Sequence, residues 1–227
     1  MNRGYSVKAK ANKQADIYIY EEIGDGWYGG VSARQFAKDL RDLGDLDQIN
    51  LKINSPGGNV FDGNAIYNLL KQHKARVIVS IDGLAASIAS VVAMAGDEIT
   101  IAENALMMVH NAWGFAIGNA KELREVADTL DKVNDTIVAT YLNRTRKEEA
   151  EIRRLMDAET WMSATEAIEH GFADKTTAAL EMAAFDMSRF KYRNIPKMDD
   201  ADKFRRTKLA RMDLVSQRLR AAGGLKK

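Results

Sequence analysis

Ser87 and Ser90 stand in the small-residue run "GLAASIAS" (83–90), and the apolar run "ALMMVH" (105–110) ends in His110. A serine attacks a carbonyl poorly at its free pKa and needs a neighbouring imidazole to take its proton. The oxyanion formed by that attack needs prearranged N–H donors. The glycine pair Gly57–Gly58 in "NSPGGN" (54–59) lets backbone approach a reacting group closely and present such donors. It is neither a dinucleotide fingerprint nor a P-loop, since G-x-G-x-x-G and G-K-[ST] are both absent. Singly, each feature has an ordinary structural explanation: a tight turn, close packing of small residues, a satisfied core histidine. Their order carries more. A glycine-pair loop is followed by a serine at a helix start and then by a histidine at a strand end. His73 and His170 lie among charged neighbours on helix ends and are given no chemical role. No cysteine is present, which excludes thiolate chemistry, disulfides and thiolate metal sites.

Those residues need elements to hold them. "DIYIYEEI" (16–23), "INLKIN" (49–54) and "RVIVSID" (76–82) have strand patterns, as do "EITIA" (98–102) and "ALMMVH". Helices are expected over 32–43, where Ser32 and Gln35 form a capping-box pattern, and over 61–73. A third helix begins near Ala86, so Ser87 falls in its first turn and Ser90 one turn deeper, less accessible. The spacing of Ala120, Leu123, Ala127, Leu130, Val133, Ile137 and Tyr141 predicts a long amphipathic helix over 119–146 that projects to pair with another subunit. "TEAIEHG" (165–171) is a short helix closed by Gly171. The alternation of strands and helices predicts an α/β fold with a mainly parallel sheet.

With 227 residues, 46% hydrophobic and 29% charged, the chain suits one sizeable domain with an appendage. The net charge of +1 hides an asymmetry. Residues 186–227 hold 13 Lys+Arg against 5 Asp+Glu, a local +8 that leaves −7 for the rest. The expected organisation is a flexible N-terminal segment (1–15), a folded domain (16–185) and a basic tail (186–227), helical or disordered, in which 199–222 could form one more helix. The polar N-terminus lacks a secretory pattern, and the apolar stretch 83–96 is too short to cross a bilayer. A cytoplasmic protein with no membrane partner is therefore expected.

Four segments together resemble the Clp protease proteolytic subunit (ClpP) family of self-compartmentalising serine peptidases: "INSPGGNV" (53–60), "GLAASIAS" (83–90), "MMVHNAWG" (107–114) and "WMSATEAIEHGFAD" (161–174). They stand in the family's order and cover roughly Asp16 to Asp174. The resemblance implies a ClpP/crotonase-like fold of repeated β-β-α units with a long projecting helix. It implies Ser87 as nucleophile, His110 as general base, and the backbone N–H groups of Gly57 and Ile88, with Gly58 beside them, as the oxyanion hole. The family's aspartate aligns with Glu159 in "DAETWMSA" (157–164), with Asp157 as the alternative acid. No cofactor and no metal is implied. The partners implied are polypeptide substrates and further copies of the chain, in a ring homo-oligomer such as a heptamer or tetradecamer.

"HNAWG" departs from the His-Gln-Pro usual in housekeeping members and resembles the branch found in phage and prophage head-assembly modules. The basic tail is also foreign to housekeeping subunits. The resemblance therefore implies a head-maturation protease acting on scaffold or capsid precursors, in the host cytoplasm or an assembling procapsid. The basic arm would anchor it there or be removed by self-cleavage. Three rivals stand beside this reading: a housekeeping-type peptidase fed by an AAA+ unfoldase, a crotonase-fold acyl-CoA enzyme, and a catalytically silent scaffold.

Overall fold

An eight-stranded sheet organises the chain in a computed structural model that describes residues 4–25, 30–180, 190 and 192–196. The chain divides into a unit spanning Met1–Tyr192 and another spanning Arg193–Lys227. Every element below belongs to the first. β1 (Tyr5–Lys10) runs antiparallel to β2 (Gln14–Ile19). β3 (Gln48–Ser55), β4 (Arg76–Ala86) and β5 (Glu98–Ala102) continue in parallel from β2. β6 (Leu106–Val109) lies parallel to the end of β4, β7 (Thr160–Ser163) is antiparallel to β6, and β8 (Lys175–Thr177) is parallel to β5. Along β3 and β4 the buried Ile49, Leu51, Ile53, Val77, Val79 and Ile81 alternate with part-exposed residues, so one face of the sheet forms the core and the other is only partly covered.

Helix ends are fixed by side chains named in the sequence. α1 (Ala33–Asp42) starts at Ser32, whose hydroxyl accepts from the Gln35 amide at 3.4 Å, and it buries Phe36 and Leu40 one turn apart. α2 (Val60–Gln72) is capped by Asn59, and its Asp62 accepts from the Ala33 amide at 2.7 Å, joining the starts of the two helices. α3 (Ile88–Ala93) is wholly buried. α4 (Ala120–Thr145) opens with a capping box between Asn119 and Glu122 and ends at Arg146 in a left-handed conformation. α5 (Glu149–Asp157) and α6 (Ala164–Glu169) follow, the latter with a Ser163–Glu166 capping box.

The mixed α/β architecture, with a long helix beyond the sheet, is the one the resemblance implied. Several details differ. Residues 5–10 form a paired strand, where a flexible N-terminal segment was expected. α3 begins at Ile88, so Ser87 precedes the helix and does not lie in its first turn. The stripe of α4 is buried only in its second half, at Ile137, Val138 and Tyr141, while Leu123 and Val126 face outward. α5, β7 and β8 were not foreseen. The helix suggested over 199–222 lies outside the described residues.

Candidate active site

β4 changes neighbours along its length. Residues Ile78–Ile81 pair with β5, and Leu84–Ala86 pair with β6, ending with Ala86 opposite Met108. The ladder continues one rung further, because the Ser87 amide donates to the Met108 carbonyl at 2.9 Å. Ser87 and His110 thus leave adjacent parallel strands side by side, and the serine Oγ lies 2.7 Å from His110 Nε2.

Ser87 has φ 55° and ψ −130°, a conformation that costs a non-glycine residue about 1–3 kcal/mol and persists only when its surroundings hold it. Ser90 does the holding. Its amide and its hydroxyl both donate to the Ser87 carbonyl, at 3.0 and 2.5 Å. With that hydroxyl proton engaged, the fully buried Tyr141 must be the donor in its 2.8 Å contact with Ser90 Oγ. Ser90 is itself wholly buried, so of the two serines only Ser87 reaches the cleft.

Gly57 (φ 97°) lies against the turn at Ser87. A Cβ there would stand 2.7 Å from both the Ala86 carbonyl oxygen and Ser87 Cβ, so no side chain is accommodated. Ile23 pins the loop, donating to the Gly57 carbonyl and accepting from the Asn59 amide, both at 2.8 Å. The Gly57 amide donates to Ser55 Oγ at 3.2 Å. Gly57 faces the Ile88 amide nitrogen, 3.3 Å from where its Cβ would stand, while Gly58 (φ 144°) lies against Ile23. Ser87 makes no side-chain cap to the start of α3, so its hydroxyl does not compete for the Ile88 amide.

Register separates the two candidate acids. β6 and β7 pair antiparallel up to Val109 opposite Thr160, and the next residues out on the two strands are His110 and Glu159. Glu159 is 3% exposed, has φ 48°, and accepts from the Trp161 indole at 3.4 Å. Asp157 is different. It ends α5 on the surface, accepts from the Asn111 amide at 2.7 Å, and lines a polar cavity with Asp131, Asp135 and Arg153.

The family model for "Clp protease" matches residues 1–179. The chain belongs to the Clp protease family. Clp proteases are serine-type peptidases, hydrolases of the peptide bond, and the sheet described above is consistent with their fold. The chain is also 29% identical over 175 residues to the ATP-dependent Clp protease proteolytic subunit of Deinococcus radiodurans, covering 76% of this chain and 85% of that one. Among the described residues no helix is long and apolar enough to cross a membrane.

Within the span matched to Clp proteases, the other two histidines make local contacts only. His73 Nδ1 accepts from the Ala75 amide at 3.0 Å, and His170 lies 3.6 Å from Glu151. Beyond that span, the structure brings to the site a residue that sequence reasoning missed. The Tyr192 hydroxyl donates to the Pro56 carbonyl, immediately before the glycine pair. Its ring meets His110 edge-on at 5.3 Å and Trp161 at 5.7 Å. Burial pushes the phenol pKa up. A single tyrosine in a basic stretch carries no signal of this placement.

Proposed function

We propose that this Clp-family chain is a serine endopeptidase in which Ser87 attacks the scissile carbonyl and His110 serves as general base. The observation that carries this reading is the 2.7 Å contact between Ser87 Oγ and His110 Nε2. In the first step the Oγ–carbonyl bond forms while the serine proton passes to Nε2, and the carbonyl oxygen takes the negative charge. The Gly57 and Ile88 amides, with Gly58 beside them, are the donors for that oxyanion. The imidazolium then protonates the leaving amine as the C–N bond breaks, and water repeats the sequence to release the acyl group. Glu159, next beyond the ladder from His110, is the acid that orients the imidazole; exposed Asp157 serves Asn111 instead. Each step uses side chains and backbone, with no role for a metal or cofactor.

The substrates are polypeptides, and we assign the chain to the phage head-maturation branch, cleaving scaffold or capsid precursors in the host cytoplasm or procapsid. "HNAWG" and the basic tail support this. The Deinococcus radiodurans relative, an ATP-dependent proteolytic subunit, favours a second reading in which an AAA+ unfoldase feeds the chamber. In both readings the chain works as a ring homo-oligomer. The exposed Trp113, Phe115 and Ile117, between the base and the start of α4, and Leu123 in its first turn give such a ring an apolar surface to cover.

Fluorophosphonate labelling of the native protein, with the adduct mapped by peptide mass spectrometry, tests the chemistry. An adduct on Ser87 that a heat-denatured control lacks is expected, and native protein that stays unlabelled even as an assembled oligomer would overturn the reading. Degradation of a folded substrate only with an ATPase present would select the unfoldase route over head maturation.

A further inference from the structure

The geometry points to a cis-acting occupant of this site: the segment carrying Phe190 and Tyr192 closes the cleft at Ser87 in the resting chain, and it must leave before a polypeptide substrate can bind. This rests on the reading of Ser87 as nucleophile and adds a regulation that the family match does not supply, since the matched span stops at residue 179.

Two observations meet at Tyr192. Its hydroxyl donates to the Pro56 carbonyl, immediately before the glycine pair, so it occupies the loop that lines the nucleophile. Its ring packs with Leu84, Ala86, Met108, Leu106 and Trp161, an apolar patch formed where β4 meets β6, and Phe190 stacks on it at 5.7 Å and 10°. A substrate approaching Ser87 from that side would have to displace both aromatic rings. The occupant therefore blocks the cleft at the nucleophile.

Tethering makes such a contact effective even if weak. A segment of the same chain competes at an effective concentration of order millimolar, above that of an ordinary diffusing substrate. The apparent reactivity of the site then falls to the fraction of chains in which the segment is away.

The chain has no cysteine, so Ser87→Cys creates a single thiol whose alkylation by iodoacetamide reports access without requiring an activated serine. In that background Tyr192→Ala is expected to speed alkylation roughly tenfold, as the competent fraction rises. Tyr192→Phe, which keeps the ring and the fold but loses the hydroxyl contact to Pro56, is expected to fall between the two. Equal rates in all three folded proteins would overturn the occupant. Faster alkylation in Tyr192→Ala, with no fluorophosphonate adduct or peptide hydrolysis when Ser87 is restored, would uphold the occupant and refute the peptidase reading.

Discussion

Tyr141 and Ser90 meet hydroxyl to hydroxyl at 2.8 Å in the interior, and Ser90 in turn holds the carbonyl of Ser87. The long helix α4 thereby touches the strained turn at Ser87 through one intermediary. Removing the two hydroxyls has unequal effects. Tyr141→Phe deletes a donor and is expected to cost about 1 kcal/mol, whereas Ser90→Ala strands a buried phenol and costs about 1–3 kcal/mol. Ser90→Ala also removes one of the two bonds that hold the Ser87 carbonyl, so kcat falls while KM changes little. Thermal unfolding and steady-state kinetics on the two variants check the order.

The backbone of Ser87 stores energy that a glycine would not. Ser87→Gly is expected to raise stability by about 1 kcal/mol, and Ser87→Ala to give no such gain. Both lose hydrolysis by roughly 10⁵–10⁶-fold, the scale seen when a triad serine is removed. Urea unfolding beside a peptide assay decides it; equal stability of the two variants would show that the turn is unstrained.

Glu159 and Asp157 are separated by one residue and differ in surroundings, one buried beyond the His110 rung and one on the surface. Glu159→Gln is expected to lower kcat by roughly 10³–10⁴-fold, as loss of an orienting carboxylate does, and Asp157→Asn to leave kcat unchanged. The reverse pattern would move the acid to Asp157.

Acid should weaken one specific joint. Asp174 accepts from the Ile99 amide at 2.7 Å and from Arg144 of α4 at 2.6 and 2.7 Å. Burial pushes its pKa up, but the Arg144 bond, the Ile99 amide and the Arg144 charge together outweigh it and hold it below the ordinary 3.8. A carboxyl with a depressed folded pKa contributes stability above its unfolded pKa and loses that contribution as pH falls through the folded value. Asp174→Asn is therefore less stable than the parent at neutral pH, and the gap closes as pH drops below about 4. Denaturant midpoints of both proteins across that range measure it.

Gly57→Ala is expected to cost about 1–3 kcal/mol for the left-handed backbone alone, with more from the collision against Ala86 and Ser87. Hydrolysis is lost with it. A variant of parental stability and activity would show that the loop can step back from Ser87.

How far the sequence could be read depended on the range of the interactions involved. The β-branched runs of β3 to β5 and the caps at Ser32 and Asn119 are local, and they were legible. β1 was missed because its Lys8 and Lys10 look like solvent-loving coil, although charged side chains suit an edge strand. α5 did carry a signal, in Ile152, Leu155 and Met156 on one face. β7 is four residues between two helices, too short to show a period. Without β7 there was no register with which to choose between Glu159 and Asp157. Ser87 and His110 were identifiable by motif, but their 2.7 Å contact depends on β4 and β6 being neighbours, which no local pattern states. Tyr192 marks the limit, since only the folded chain brings it to Pro56.

The switch of β4 from β5 to β6 has a consequence for how the protein fails. Ser87, His110 and Glu159 all sit where a small annex, β6 with β7, meets the body, and that annex holds β4 through only three paired residues. Fraying there, or a slip of one rung, would scatter the three groups while the large parallel core stayed intact. Gentle heating would then silence the chain well before it melts.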